Sequence, residues 1–265
     1  ARKKNLIVLE DFCDAFGTTI NEEKVGSFGH INFTSFHAAH IIAMGQGGGA
    51  FTNNKELAQK VRMYRDWGRQ ANLNMRKNTK FPKLPQDQNP RYIYEKIGYN
   101  LSPLELQAAM GRVQLKKVEK IKKLRKRNFE ALFWGLANFP EVILPTWIKG
   151  ADVCWFGFPI SVYSNRSELI AYLDKKGIET RTMFTGRVDY HPAYQSSVFR
   201  KSGELKESEW ILYHSLWFTV HPRYTPKDLK YIVDVFKEFY DKNPSSYSGR
   251  IVWGGLPNKR KHRSH

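Results

Sequence analysis

The sequence is short of cysteine, of acidic residues and of long apolar runs. Its two cysteines, Cys13 and Cys154, in 265 residues build no disulfide framework and, by themselves, no tetrahedral metal site. Such usage fits a reducing cytoplasm. No apolar run reaches the roughly 18–20 residues of a membrane span. No secretory signal is visible where Ala1-Arg2-Lys3-Lys4 leads into a short apolar run. There is no internal repeat. Against 43 lysines and arginines stand only 25 acidic residues, a net charge of +18. That excess admits nucleic acid, an anionic membrane surface or a phosphorylated substrate as partner. Much of it lies in Lys116–Arg127 and in the tail Lys259–Arg263. In the first stretch Leu115, Val118, Ile121 and Leu124 recur at near-helical spacing, which puts the cations on an outer, solvated face. A non-catalytic basic fragment that binds nucleic acid is the competing reading of the same charge. What the chain does have is 41% hydrophobic and 14% aromatic residues, enough for a packed core and against global disorder.

The pattern is that of an α/β protein. Residues 5–10 read as a fully buried parallel strand, because the apolar run is continuous rather than alternating. Ligands of α/β sheets collect at the carboxyl ends of such strands, where Asp11 falls. Residues 26–36 read as short strand segments with turns at Gly26 and Gly29, and 54–66 as a helix. Residues 69–98 form a long polar loop. Residues 103–136 read as one long helix or two, opened by Ser102-Pro103 with Glu105 three after Ser102, a capping-box pattern. After Phe139-Pro140 the spacing predicts strands within 154–163, 178–184 and 215–220. It predicts a helix over 165–176 that stops at Gly177, and a last helix opened by Thr225-Pro226-Lys227-Asp228. The expected domains are 1–136 and 137–240, followed by a flexible basic tail, 241–265. The first region supplies one clear parallel strand, too few for a complete doubly wound domain.

Several residues could carry chemistry. An aspartate after a strand, such as Asp11, caps a turn or holds a cationic partner. A histidine pair at i, i+3, His37 and His40, could bind a metal, but no third ligand is evident and no metal is expected. The alternatives for His40 are a structural role and proton transfer near neutral pH. Gly45-Gln46-Gly47-Gly48-Gly49 alone reads as a turn and lacks the spacing of a dinucleotide fingerprint. Asn100 caps the following helix or serves a ligand.

Taken together, Glu10-Asp11 with Asp14-Ala15-Phe16-Gly17, Ser35 five residues before His40, the glycine run, Tyr64-Arg65-Asp66-Trp67-Gly68-Arg69, Gly98-Tyr99-Asn100-Leu101-Ser102-Pro103 and Gly177-Ile178-Glu179-Thr180-Arg181 resemble the DegT/DnrJ/StrS sugar aminotransferases over roughly residues 5–240. The resemblance implies fold-type I pyridoxal-phosphate architecture: an incomplete parallel-sheet large domain, whose N-terminal portion lies outside this sequence, and a smaller C-terminal α/β domain. It implies that Asp11 pairs with the cofactor's pyridine nitrogen, that Ser35 donates to its phosphate, and that Asn100 reaches the phosphate of a partner subunit, hence a homodimer with shared sites. His37 would line the pocket. Near Trp155 and Thr180–Gly186 the resemblance places the sugar-binding face. The family holds its cofactor on a lysine where this chain has His40, and imidazole cannot form that Schiff base. Within the family, histidine there marks the nucleotide-activated 4-keto-6-deoxyhexose 3-dehydratases, which use pyridoxamine phosphate and the histidine as proton-transfer base. Deoxysugar or lipopolysaccharide O-antigen biosynthesis is the setting so implied; the alternative within the family is a nucleotide-sugar aminotransferase. Some such dehydratases carry an iron-sulfur cluster on four cysteines. Counting from Cys13, the other three positions hold Ala71, Leu73 and Phe81, so no cluster is expected. Ser102 departs from the family, where a basic residue is frequent.

Overall fold

The computed structural model describes residues 1–69, 81–196 and 198–244. The chain forms two compact units, Ala1–Lys120 and Ile121–His265. The expected boundary at 136 falls later than the observed one. The helix Val118–Leu136 contributes Phe129, Leu132, Phe133 and Leu136 to the core of the second unit, so its apolar face belongs there. Residues 245–265 lie outside the described residues, and with them most of the expected basic tail.

The first unit is built on a three-stranded sheet in the order β1-β4-β5: β1 is Leu9–Asp11, β4 is Ile31–Ser35 and β5 is Gly48–Phe51. β1 runs parallel to β4, with Asp11 opposite Phe33, and β5 returns antiparallel, with Gly48 opposite Ser35. Between β1 and β4 lies a hairpin of β2 (Thr19–Ile20) and β3 (Glu23–Lys24). Its two loop residues, Asn21 and Glu22, both take positive φ, as a two-residue type I′ turn requires.

The expectation of a fully buried strand over 5–10 is corrected. Only Leu9–Asp11 is strand, and Leu6, Ile7 and Leu9 are 59%, 75% and 63% exposed. A parallel strand is buried by neighbours on both edges and helices on both faces, and among the described residues β1 has β4 alone as a strand neighbour. The inward residues of β4 are polar and satisfied. Asn32 accepts from the Gly29 N–H at 2.8 Å and donates to the Phe51 carbonyl at 3.1 Å. The Glu10 carboxylate accepts the N–H groups of Gly26, Phe28 and Gly29 at 2.7, 2.8 and 3.2 Å, which fixes the loop that delivers the chain into β4.

Helix α1 (Lys55–Arg65) starts at Asn54, whose side chain accepts from the Glu56 and Leu57 N–H groups, the preferred N-cap chemistry. It ends at Trp67-Gly68. A side chain at Gly68 would strike the Lys96 carbonyl, and one at Gly98 the backbone of Gly68. The two segments therefore cross in backbone contact, held by Trp67 N–H to the Tyr99 carbonyl at 2.8 Å and Tyr99 N–H to the Tyr64 carbonyl at 2.7 Å. This crossing sets Asn100 opposite Asp66. Residues 103–136 form two helices, α2 (Glu105–Leu115) and α3 (Val118–Leu136). The expected cap at Ser102 is not made. Its hydroxyl donates to Asp66 Oδ1 at 2.7 Å, and the Gln107 side chain accepts the Leu104 N–H instead.

In the second unit an antiparallel sheet runs β6-β8-β10-β9, from β6 (Val142–Ile143), β8 (Gly157–Val162), β9 (Thr180–Thr182) and β10 (Ser215–Thr219); β7 (Ala151–Asp152) is a two-residue strand outside that sheet. The core joins this sheet to α3, α4 (Arg166–Lys175) and α7 (Pro226–Lys242). α7 buries Leu229, Ile232, Val235, Phe236, Phe239 and Tyr240 along one stripe, the spacing of an amphipathic helix. Thr225 caps it as expected, and Asp228 completes a capping box with it. Two further helices, α5 (Pro192–Gln195) and α6 (Lys206–His214), complete the unit. The basic face of α3 is less free than its spacing suggests. Arg125 is buried and donates to the Trp155 and Phe156 carbonyls, while Lys122 and Lys126 both pair with Asp152 at 2.7 Å. No described helix is long and apolar enough to cross a membrane.

Candidate cofactor site

Pairing β1 with β4 brings the ends of the two strands together. Asp11 closes β1, Ser35 closes β4, and the following turn carries His37 and His40. The turn is shaped by bonds back to the sheet: Phe36 N–H to the Gly47 carbonyl at 2.9 Å, Met44 N–H to the Phe36 carbonyl at 2.8 Å, and His40 N–H to the His37 carbonyl at 3.0 Å. Gly47, at φ +127, takes a conformation closed to other residues. The glycine run is thus the return of the β4–β5 hairpin.

His40 is held at both ring nitrogens. Nδ1 faces the Ser35 carbonyl at 3.3 Å, and Nε2 faces Asp14 Oδ1 at 3.5 Å. The His40 side chain is 19% exposed and that of Asp14 39%. Both contacts are long, so they orient the imidazole more than they bind it. Burial raises the Asp14 carboxyl above its ordinary range, against the opposing pull of His40. Asp11 goes the other way: its bonds from Cys13 hold the carboxylate below the usual range, and one of them is the Cys13 N–H to Oδ1 at 3.0 Å. The Cys13 thiol is pushed up to about 11, first by burial and then by Asp11, which keeps it protonated near neutral pH. The Ser35 hydroxyl oxygen accepts the His37 N–H at 3.2 Å, leaving its hydrogen available to another acceptor. His37 is exposed, and its ring meets that of His40 edge-on at 5.9 Å.

Asp11, Ser35, His37 and His40 therefore share one neighbourhood, as their sequence pattern implies. Asn100 belongs to another. It is exposed, at the backbone bridge to Asp66. Asp14 is the site contact that sequence reasoning missed: it stands in the motif Asp14-Ala15-Phe16-Gly17, but nothing local ties it to His40, which it faces at 3.5 Å. In the second unit, Trp155 stacks on Phe129 with centroids 3.6 Å apart, and Arg181 pairs with Glu179 at 3.1 Å while lying 5.9 Å from the Trp217 ring. Of the positions that would ligate a cluster, Phe81 is half-buried, and Ala71 and Leu73 lie outside the described residues. Among the described residues no three potential metal ligands converge.

This is the architecture of the fold-type I pyridoxal-phosphate enzymes. The structure superposes on a DegT DnrJ EryC1 StrS aminotransferase from Brucella abortus with a TM-score of 0.75 at 26% identity, covering 90% of this chain and 58% of that one. It matches an E. coli GDP-4-keto-6-deoxy-D-mannose-3-dehydratase with bound hydrated PLP at a TM-score of 0.77 and 25% identity, covering 88% and 60%. The family model of the DegT/DnrJ/EryC1/StrS aminotransferases matches residues 1–237, and the chain belongs to that family. It is 38% identical over 256 residues to the lipopolysaccharide biosynthesis protein RfbH of Salmonella typhimurium, covering 92% of this chain and 59% of that protein. It is 32% identical over 255 residues to the dTDP-4-dehydro-2,6-dideoxy-D-glucose 3-dehydratase of Saccharopolyspora spinosa, covering 92% and 55%. The chain thus spans somewhat more than half the length of these relatives.

Proposed function

We propose that this chain is part of a pyridoxamine- or pyridoxal-phosphate-dependent enzyme that removes the C3 hydroxyl of a nucleotide-linked 4-keto-6-deoxyhexose, with His40 as the proton-transfer base. The observation that carries the reading is an oriented imidazole in place of an amine: His40, half-buried, between the Ser35 carbonyl and the Asp14 carboxylate. The residues fit the cofactor. Asp11 is exposed at a strand end with its carboxylate kept ionised, as pairing with a protonated pyridine nitrogen requires. Ser35 has a hydroxyl hydrogen to give a phosphate. When bound, the pyridine ring supplies an electron sink.

The chain's own groups do the rest. Asp14 and the Ser35 carbonyl hold the imidazole in one orientation, so the ring can take a carbon-bound proton and return it without swinging into solvent. His37 stands beside it as pocket wall. Two relatives named as 3-dehydratases support the reading. A 33% identical GDP-perosamine synthase marks the alternative, a nucleotide-sugar aminotransferase, which the imidazole disfavours. The charge committed at Arg125, Lys122 and Lys126 weakens the nucleic-acid reading. The proposal includes a homodimer in which Asn100 reaches the partner's cofactor phosphate, no iron-sulfur cluster, and a role in cytoplasmic deoxysugar or lipopolysaccharide biosynthesis. Borohydride reduction of the full-length enzyme loaded with pyridoxal phosphate, followed by peptide mapping, tests it. No phosphopyridoxyl-lysine is expected, and an adduct on a lysine overturns it.

A further inference from the structure

Two residues of α2 touch the turn that carries His40. Gln107 and Gly111 stand four apart, so they share a helix face. The Gln107 side chain donates from Nε2 to the Gln46 carbonyl at 3.2 Å, while its Oε1 accepts the Leu104 N–H at 2.8 Å. One side chain thus closes the start of α2 and reaches the turn. A Cβ at Gly111 would stand 2.8 Å from both Cγ and Sδ of Met44, well inside the ~3.5–4.0 Å of an ordinary contact. Glycine in the middle of a helix is unfavourable, and Gly111 lies within Glu105–Leu115. What its bare backbone admits is the Met44 side chain. The Met44 methyl group ends 3.6 Å from the place a Cβ would take at Gly47, so the thioether is flanked by two glycines. Met44 and Gly47 are in turn tied to Phe36: the Met44 N–H donates to the Phe36 carbonyl at 2.8 Å, and the Phe36 N–H to the Gly47 carbonyl at 2.9 Å. These bonds close a loop from Phe36 to Met44 with His40 at its middle. The ring contacts of His40, at 3.3 Å to the Ser35 carbonyl and 3.5 Å to Asp14, are too long to fix the imidazole by themselves. Its position depends on what holds the loop.

We propose that Gln107 and Gly111 are positioning residues for His40, acting through Gln46 and Met44, with α2 as the support against which the loop is set. The catalytic part of His40 rests on the reading above; the docking of its loop does not. The two ties differ in kind, so each can be broken alone. Gln107→Glu keeps an oxygen for the Leu104 N–H and adds a negative charge in the first turn of α2, where the helix dipole favours it. It also removes the N–H group that reaches Gln46 and sets a carboxylate against that carbonyl. Gly111→Ala makes α2 a better helix and forces Met44 to move. Both substitutions favour the helix and loosen the loop. A role confined to helix stability and a role in positioning therefore predict opposite signs.

Carbethoxylation of His40 by diethyl pyrocarbonate, mapped by mass spectrometry on the full-length enzyme, reads the loop without turnover and without cofactor. His214, in the second unit, is the internal reference. His40 is expected to react about fivefold faster in Gln107→Glu, the effect of about one net hydrogen bond, and comparably in Gly111→Ala. His214 should be unchanged, and melting temperatures unchanged or raised. When Gly111→Ala is combined with Met44→Ala, the gain is expected to be smaller than the product of the two single gains, because shortening Met44 vacates the space the new methyl takes. With substrate, kcat should fall about tenfold at unchanged KM in Gln107→Glu and Gly111→Ala. Unchanged His40 reactivity in these two variants would overturn the proposal, as would raised reactivity with unchanged kcat. A strictly multiplicative double variant would overturn the tie between Gly111 and Met44. A failed dehydratase reading shows instead as no C3 loss in the wild type, and the reactivity pattern then still decides whether α2 holds the loop.

Discussion

Replacing His40 by lysine asks whether Asp14 governs the chemistry available at that position. The substitution restores an amine, but it places the amine beside the carboxylate that now lies 3.5 Å from His40 Nε2. At an effective dielectric of about 20, unit charges ~4 Å apart attract by about 4 kcal/mol. Asp14 is 39% exposed, so solvent screening reduces this to roughly 1–2 kcal/mol. Each ~1.4 kcal/mol is about one pKa unit, so the ammonium form is favoured by about tenfold and the nucleophilic free amine is depleted to match. His40→Lys alone is therefore expected to bond the cofactor covalently only in part. His40→Lys with Asp14→Asn is expected to reach about tenfold more adduct at a limiting cofactor concentration near neutral pH. Intact mass after borohydride reduction reads the fraction directly, and melting curves check that both variants fold. Equal adduct in the single and double variants would refute the claim that Asp14 acts on the group at this position.

Asn100→Ala is expected to lower cofactor retention by equilibrium dialysis while moving the melting temperature little, because its side chain is exposed; sedimentation of the full-length enzyme should show a dimer, and a monomer with full cofactor occupancy would remove the shared-site proposal. Iron and sulfide analysis of anaerobically purified enzyme should find neither, and a stoichiometric cluster would mean that the ligand positions counted from Cys13 are wrong. Phe236→Ala, in the fully buried stripe of α7, should cost about 3–5 kcal/mol in urea unfolding; a loss below about 1 kcal/mol would contradict the described core. Lys176 and Lys242 depress the Glu238 carboxyl from 4.5 to about 2. Its stabilising contribution is complete above the unfolded value and is lost as pH falls through that window. Glu238→Gln should therefore flatten the acid limb of the stability curve, and an unchanged limb would exclude the carboxylate from it.

The legible parts of this sequence were those written in local chemistry. Thr225 caps the helix it precedes, and Gly177, at φ +76, follows α4 where a glycine stop is expected. The pattern around Asp11, Ser35 and His40 fixed which residues meet, because two strand ends and a tight turn bring them together whatever surrounds them. The illegible parts depended on partners elsewhere in the chain. The β2–β3 turn uses Asn21-Glu22 and lacks the glycine that announces a type I′ hairpin. Leu6, Ile7 and Leu9 read as buried, and among the described residues β1 has only β4 as a strand neighbour to cover them. Ser102 has the chemistry of a cap, but Asp66 claims its hydroxyl. Arg125 sits inside a run of exposed cations, yet two backbone carbonyls draw it in. The contact of Asp14 with His40 follows from the β1–β4 pairing, which no single stretch of residues specifies.

The measurement closest to the central claim is the product. The full-length enzyme, supplied with pyridoxamine phosphate and either a GDP- or a dTDP-linked 4-keto-6-deoxyhexose, is quenched after one turnover and the sugar examined by mass spectrometry and NMR. The account predicts loss of the C3 oxygen with no nitrogen at C4 in the released sugar, and abolition of that loss by His40→Asn. A released 4-amino sugar that retains its C3 hydroxyl would contradict it.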